Sequence, residues 1–199
     1  MQLSISTATA ACSVALLEGD TVIAERHEIV GRGHAEQLIP MIEALPDRGR
    51  ADLIWVDCGP GSFTGTRVGL AAARALGLAW GAPVWGFSSL SLIAAAASSV
   101  DQVAVAVLGG HGEIFVQDFT TAPLSPGSPI RSLTPEEAAR VILSPLVVGS
   151  GADALVSARG FGTAEAALPR AAHVLSLPDA LRHLPPRAIY IRAPDARAA

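Results

Sequence analysis

Apolar and polar positions change period along the chain, and the changes mark out its elements. Leu3 to Thr9 reads as a short strand ending in small hydroxyl side chains, Cys12 to Leu17 as a second and Thr21 to Ile29 as a third. The turn at Glu18-Gly19-Asp20 and the other short links predict a meander. From His34 to Leu45 the period becomes helical. Leu38, Ile42 and Leu45 fall on one face with Met41 beside them, and Pro40 is expected to kink the helix. Leu53 to Asp57 is a compact apolar strand and Thr66 to Trp80 a helix. Pro83 to Phe87 is another strand, and Ser88 or Ser89 caps an Ala-rich helix through Ala97. The first half is therefore expected to run β-β-β-α-β-α-β-α.

The second half begins in a similar way. Val103 to Leu108 and Glu113 to Phe119 predict a hairpin around Gly109-Gly110. Thr121 to Pro129 is rich in proline and reads as a loop. Thr134-Pro135-Glu136-Glu137 is a helix start, with Thr as N-cap and Glu137 closing a capping box, and the helix should end near Leu143. Leu146 to Val148 is a strand, Ala154 to Leu168 fits either regular class, Pro178 to Leu184 suggests a short helix and Ile189 to Arg192 an extended segment. A boundary near residue 100 would divide the chain into lobes at 1–100 and 101–199, the second one smaller.

Composition narrows the chemistry. Of 199 residues, 50% are apolar, enough for a large core. All 14 basic residues are Arg; there is no Lys and no Asn. A P-loop lysine, a Schiff base and a Cys-His-Asn triad are thereby excluded. A formal net charge of -4 supplies no general field for nucleic acid. Cys12 and Cys58 both lie in apolar runs and read as buried, reduced thiols rather than a disulfide framework. The N-terminal apolar run is broken by Ser and Thr and has no basic start, and the stretch from Leu70 to Trp80 holds Arg74. No targeting or membrane-spanning segment is expected.

The chemical signal is concentrated in Gly59-Pro60-Gly61-Ser62-Phe63-Thr64-Gly65, which joins a buried strand to a helix. Such a loop either cradles an anion on its backbone N–H groups or is simply a tight strand-to-helix turn. It matches neither a Walker A loop nor a G-x-G-x-x-G fingerprint, and Pro60 spoils a nucleophile elbow around Ser62. In the following helix Gly69, Ala73 and Gly77 recur every four residues and leave one face nearly bare. That face either packs on the chain's own sheet or meets a partner, and the partner is the favoured reading. The apolar face of the His34 helix would join it.

These residues carry a resemblance. Cys12-Ser-Val-Ala-Leu16, His34-x-x-x-Leu38-x-Pro40, the 59–65 loop continuing to Arg67, Gly69 and Leu70, and Gly86-Phe-Ser-Ser-Leu90 resemble the TsaB (YeaZ) family in order and spacing. Gly112-Glu113, Gly149-x-Gly151-Ala152 and Tyr190-Ile-Arg192 match it more weakly. The resemblance implies an α/β, actin-like ATPase fold in two lobes, each a mixed sheet with flanking helices, the second lobe reduced. It implies a cytoplasmic, non-catalytic subunit in the synthesis of threonylcarbamoyladenosine beside the tRNA anticodon. Its partner would be the catalytic subunit TsaD, with TsaE docking on the pair. Self-association through the same helices is a further option, and tRNA would be met only indirectly. The interface is expected at His34, Leu38, Met41, Ile42, Arg67, Gly69, Leu70, Ala73 and Gly77. No catalytic residue, metal or cofactor is expected on the isolated chain, with ATP or ADP only at the partner junction.

Departures from the pattern sharpen this. The two histidines that hold the metal in TsaD correspond to Ser89 and Ile93, and the five histidines here include no pair three to five apart. Strand-end Asp residues that help hold a nucleotide's metal in actin-like ATPases are replaced by Ser6 and Leu108. A nucleotide-dependent phosphotransferase of the same fold is the alternative reading. A metallopeptidase is disfavoured by the missing histidine pair.

Overall fold

The computed structural model describes residues 1–97 and 100–191. Two mixed sheets share one plan. In the first, β1 (Gln2–Ser6), β2 (Ala11–Glu18), β3 (Thr21–Ile29), β4 (Leu53–Asp57) and β5 (Val84–Phe87) lie in the order β3-β2-β1-β4-β5. The meander is antiparallel, whereas β4 and β5 are parallel to β1 and are reached through α1 (His34–Glu43) and α2 (Phe63–Trp80). After α3 (Ser89–Ala94) the second sheet repeats that order with β8 (Leu124–Pro126), β7 (Ile114–Thr121), β6 (Gln102–Leu108), β10 (Leu146–Val148) and β11 (Thr163–Glu165). Again a hairpin comes first and parallel strands follow, through α4 (Pro135–Ala138) and α5 (Ala152–Arg159). This is the expected two-lobed architecture.

Burial explains the strand compositions. Every residue of β2 except Glu18 is buried, because both faces of the first sheet are covered, and the strand accordingly reads as an almost continuous apolar run. Cys12, Val14 and Leu16 face α1 and α2, packing with Leu38, Met41, Ile42, Leu70 and Ala73. Ala15 and Leu17 face the other way, onto Phe87, Leu92 and a 3₁₀ segment at Ala171–Ser176. That segment belongs to the second half in sequence but covers the first sheet. The N–H of Ala171 donates to Ser13 Oγ, and Leu184 bridges Gly86.

Several boundaries move from the expected ones. α2 starts three residues earlier, at Phe63, because Ser62 caps it by accepting from the N–H of Gly65. α3 ends at Ala94. The 121–129 loop contains β8, and β9 (Arg131–Leu133) also pairs with β7. The Thr134–Glu137 capping box is present, yet α4 stops at Ala138. The undecided 154–168 stretch holds the end of α5 and β11, and the short helix near 178–184 is α6 (Asp179–Arg182). Residues 189–191 carry no regular element, and Arg192 lies outside the described residues.

The bare face of α2 turns inward, which corrects the partner reading of Gly69, Ala73 and Gly77. Ala73 is fully buried, and a methyl built on Gly69 would lie 2.4 Å from Thr7 Oγ1. One on Gly77 would lie 2.6 Å from Val84 Cγ2 and 2.9 Å from the Ala82 carbonyl oxygen. The small residues let the helix settle onto β1, β4 and β5, and their cost in helix propensity is offset by that contact. Leu38, Met41, Ile42 and Leu70 are likewise within the chain's own core. Gly69→Leu should therefore destabilise the isolated chain by about 1–3 kcal/mol through overpacking. Ala75→Leu, on the exposed side of α2, should change it by less than about 0.5 kcal/mol. Thermal denaturation of the monomer distinguishes the two.

Candidate functional site

The 59–65 loop folds as a close-packed turn. A methyl on Gly61 would lie 1.9 Å from the Ala8 carbonyl oxygen, and one on Gly65 would lie 2.1 Å from that of Thr7. Only glycine admits backbone that near. The Ser62 N–H donates to the Ala8 carbonyl at 2.6 Å, and the Thr7 hydroxyl donates to the Gly65 carbonyl at 2.8 Å. Thr66 Oγ1 donates to the Ser62 carbonyl at 2.8 Å. The N–H groups of Ser62 and Gly65 are thus spent inside the protein, which favours the turn over the anion cradle at those two positions.

Beneath this loop lies a residue that the sequence reading passed over. Asp57, at the end of β4, is fully buried. The Ser6 hydroxyl donates to its Oδ2 at 2.7 Å, the Ser89 hydroxyl to Oδ1 at 2.6 Å, and the Gly59 N–H to Oδ1 at 2.8 Å. The carboxyl ties the end of β1, the start of the loop and the start of α3 to one point. Burial pushes its pKa above the usual carboxylate range, and the three hydrogen bonds offset only part of that. A carboxyl beside a small-residue loop and two serines on neighbouring strand and helix ends was the available signal. Both hydroxyls, of Ser6 and of Ser89, are engaged by Asp57.

The remaining candidates separate. His34 is buried, with Nε2 2.8 Å from the Thr9 carbonyl oxygen, so that nitrogen carries the proton and the ring anchors the start of α1. Burial raises the Cys58 thiol to about 12 and the Cys12 thiol to about 11, and neither is a nucleophile near neutral pH. Among the described residues no group of three metal-ligating side chains converges.

Above the loop a cleft of about 1020 Å³ opens between the lobes. Ala8 to Ala10, Pro60 to Phe63 and Arg67 form one wall, Val107 to His111 and Phe115 the opposite wall, and Ala188 to Ile191 one end. Among the described residues no Asp or Glu lines it, and these residues offer no donor set for a magnesium-bound nucleotide. Leu108, 57% exposed at the end of β6, turns an apolar side chain to the cleft.

Comparisons with known proteins agree with this architecture. The family described as "TsaD: tRNA N6-adenosine threonylcarbamoyltransferase" matches residues 22–123. An uncharacterized protein of Mycobacterium leprae is 33% identical over 98% of this chain and 55% of its own length. The tRNA threonylcarbamoyladenosine biosynthesis protein TsaB of Escherichia coli is 34% identical over 59% of this chain and 54% of its own. The chain thus spans about half the length of the curated relatives it matches. A solved structure from Pseudomonas aeruginosa, described as similar to peptidase YeaZ, superposes with a TM-score of 0.80 at 27% identity, covering 96% of this chain and 99% of that one. YeaZ of the same organism gives 0.76 at 28% identity, covering 88% of each.

One prediction follows from Asp57. Its raised pKa means that the folded state favours the neutral acid. That contribution is present at low pH and lost as pH rises above the ordinary carboxylate value near 4. Asp57→Asn does not titrate, so the melting temperature of the wild type relative to this variant should fall as pH rises above the ordinary carboxylate value of about 4. A constant difference would contradict the buried-acid assignment.

The glycine loop seated on Thr7 and Ala8, the shared plan of the two sheets and these matches lead to one conclusion: the chain belongs to the TsaB (YeaZ) family, within the wider TsaD-related group.

Proposed function

We propose that this chain is a non-catalytic subunit in the synthesis of tRNA N6-threonylcarbamoyladenosine and works by pairing with the transferase TsaD. The observation that carries the reading is the use made of Ser6 and Ser89. Where a catalytic relative would present metal-associated side chains, both hydroxyls are buried and hydrogen-bonded to Asp57. That arrangement supports a scaffold better than a metal-dependent transferase.

The pairing surface in this reading is the outer side of the same helices. With Gly69, Ala73 and Gly77 directed inward, α2 leaves Ala71, Ala75, Leu78 and Ala79 outside, and Leu78 is 88% exposed. α1, packed beside it, leaves Ile39 exposed. These positions lie on one stripe of α2 and supply an apolar, small-residue surface suited to helix-to-helix contact. TsaE would dock on the resulting pair, and a homodimer would use the same stripe when TsaD is absent. The net charge of -4 fits a subunit that leaves tRNA to its partner.

Mixed with TsaD from the same source at micromolar concentration, the chain should elute from a sizing column as a heterodimer. Leu78→Glu should weaken pairing at least tenfold, about 1.4 kcal/mol, while the melting temperature of the isolated chain stays within about 2 °C. Failure of the wild type to form any complex would refute the proposal.

A further inference from the structure

The outer edge of the first sheet carries an arrangement that pairing through α2 does not use. β3 runs for 9 residues, and among the described residues it pairs only with β2. Its other edge is a row of open N–H and C=O groups, which a protein ordinarily guards with charged side chains. Guards of one sign would repel a second copy of the chain. Here the signs alternate instead. Arg26 and Glu28 are both exposed and stand opposite Val14 and Cys12, so they lie on one face of the sheet. Among the described residues neither forms an ion pair.

We propose that β3 pairs antiparallel with β3 of a second copy of this chain, about a two-fold axis at His27, joining two first sheets edge to edge. Backbone geometry restricts the register. Residues opposite one another in an antiparallel ladder either both exchange hydrogen bonds or both do not, so a strand meets its own copy only with one residue facing itself. The ladder to β2 is regular over residues 24–29 and shifts beyond them, between Leu16 and Leu17, which confines the axis to that stretch. An axis at Glu25, Arg26 or Glu28 would set a charge against its own copy. One at Ala24 or Ile29, the two ends, would leave almost no regular strand to pair. With the axis at His27, Arg26 faces the copy's Glu28 and Glu28 faces the copy's Arg26. One strand thus supplies two opposite-charge pairs to an isologous contact. The two His27 rings meet uncharged near neutral pH, because burial and the nearby Arg170 lower the pKa of that imidazole. Ile29 falls opposite Glu25, whose carboxylate is already held by Arg170. The overlap is short, so the dimer is weak and reversible. It uses neither the cleft nor the outer stripe of α2, and it stands or falls separately from pairing with TsaD.

The test is sedimentation equilibrium of the full chain carrying Leu78→Glu, which removes association through the outer stripe of α2. It is run at low salt and neutral pH, from about 10 µM to about 0.5 mM. The mass should rise reversibly toward that of a dimer. Added to this parent, Arg26→Glu and Glu28→Arg each set like charges opposite one another. Each should weaken self-association at least tenfold while circular dichroism stays that of the parent. Mixed in equal amounts, the two variants restore both opposite-charge pairs and should associate as the parent does. A parent that stays monomeric, single variants that dimerise as the parent does, or a mixture that gains nothing over its components would overturn the proposal. If a variant fails to fold, hydrogen exchange of the parent decides: the amides of residues 24–29 should gain protection as concentration rises, and constant exchange refutes the pairing.

Discussion

The approach of α2 to the end of β1 is the contact on which the rest of the molecule depends. Gly61, Gly65 and Gly69 bring helix and loop so near Thr7 and Ala8 that a single methyl would collide with backbone or hydroxyl oxygen. With that distance fixed, Ser62 is placed to cap the helix, and α1 can pack on the sheet beside it. Phe63 and Arg67 then emerge on the cleft side of the first two turns. The outward stripe of α2 is set by the same contact, because a helix with one face locked to a sheet has no freedom to choose which face it presents.

Asp57 is the electrostatic counterpart of this packing. Removing a carboxyl from water is unfavourable, and three donors converge to compensate. The donors come from three segments distant in sequence, so the acid works as a knot at the base of the loop. The same bonds occupy both hydroxyls. A hydroxyl committed to a buried carboxyl is not presented to solvent or to a metal ion. Their hydrogen-bonding capacity serves the protein's own architecture.

Much of this was legible in the sequence, and the failures have physical causes. The strand and helix order of the first half was readable because those elements alternate or repeat cleanly against one large core. The capping box at Thr134 was readable because capping is local chemistry, yet the helix after it was overestimated. Beyond Ala138 the chain keeps turning, with the N–H groups of Val141 and Ile142 both donating to the Ala138 carbonyl, so the expected end near Leu143 marks the end of the turns and not of the regular α-helix. The short strands β8 and β9 were missed because their order comes from pairing with β7, which proline-rich composition conceals. The small face of Gly69, Ala73 and Gly77 was recognised as a packing surface but assigned to the wrong neighbour. Spacing reveals a bare face without saying what covers it. Asp57 was passed over because a lone acid at a strand end is unremarkable until Ser6 and Ser89, 51 and 32 residues away, are brought to it.

The cleft side and the outer stripe of α2 sit on one helix without overlapping. Arg67 and Leu78 are eleven residues apart, about 16 Å along the axis of an α-helix, so the two surfaces are built from different side chains. Between them α2 runs without proline, and its inner face is clamped by contacts at Gly69, Ala73 and Gly77. A helix held in this way has no second arrangement available short of leaving the sheet, and coupling between distant sites requires an element with two. The glycine contact therefore presents both surfaces in fixed geometry and gives neither a route by which to alter the other.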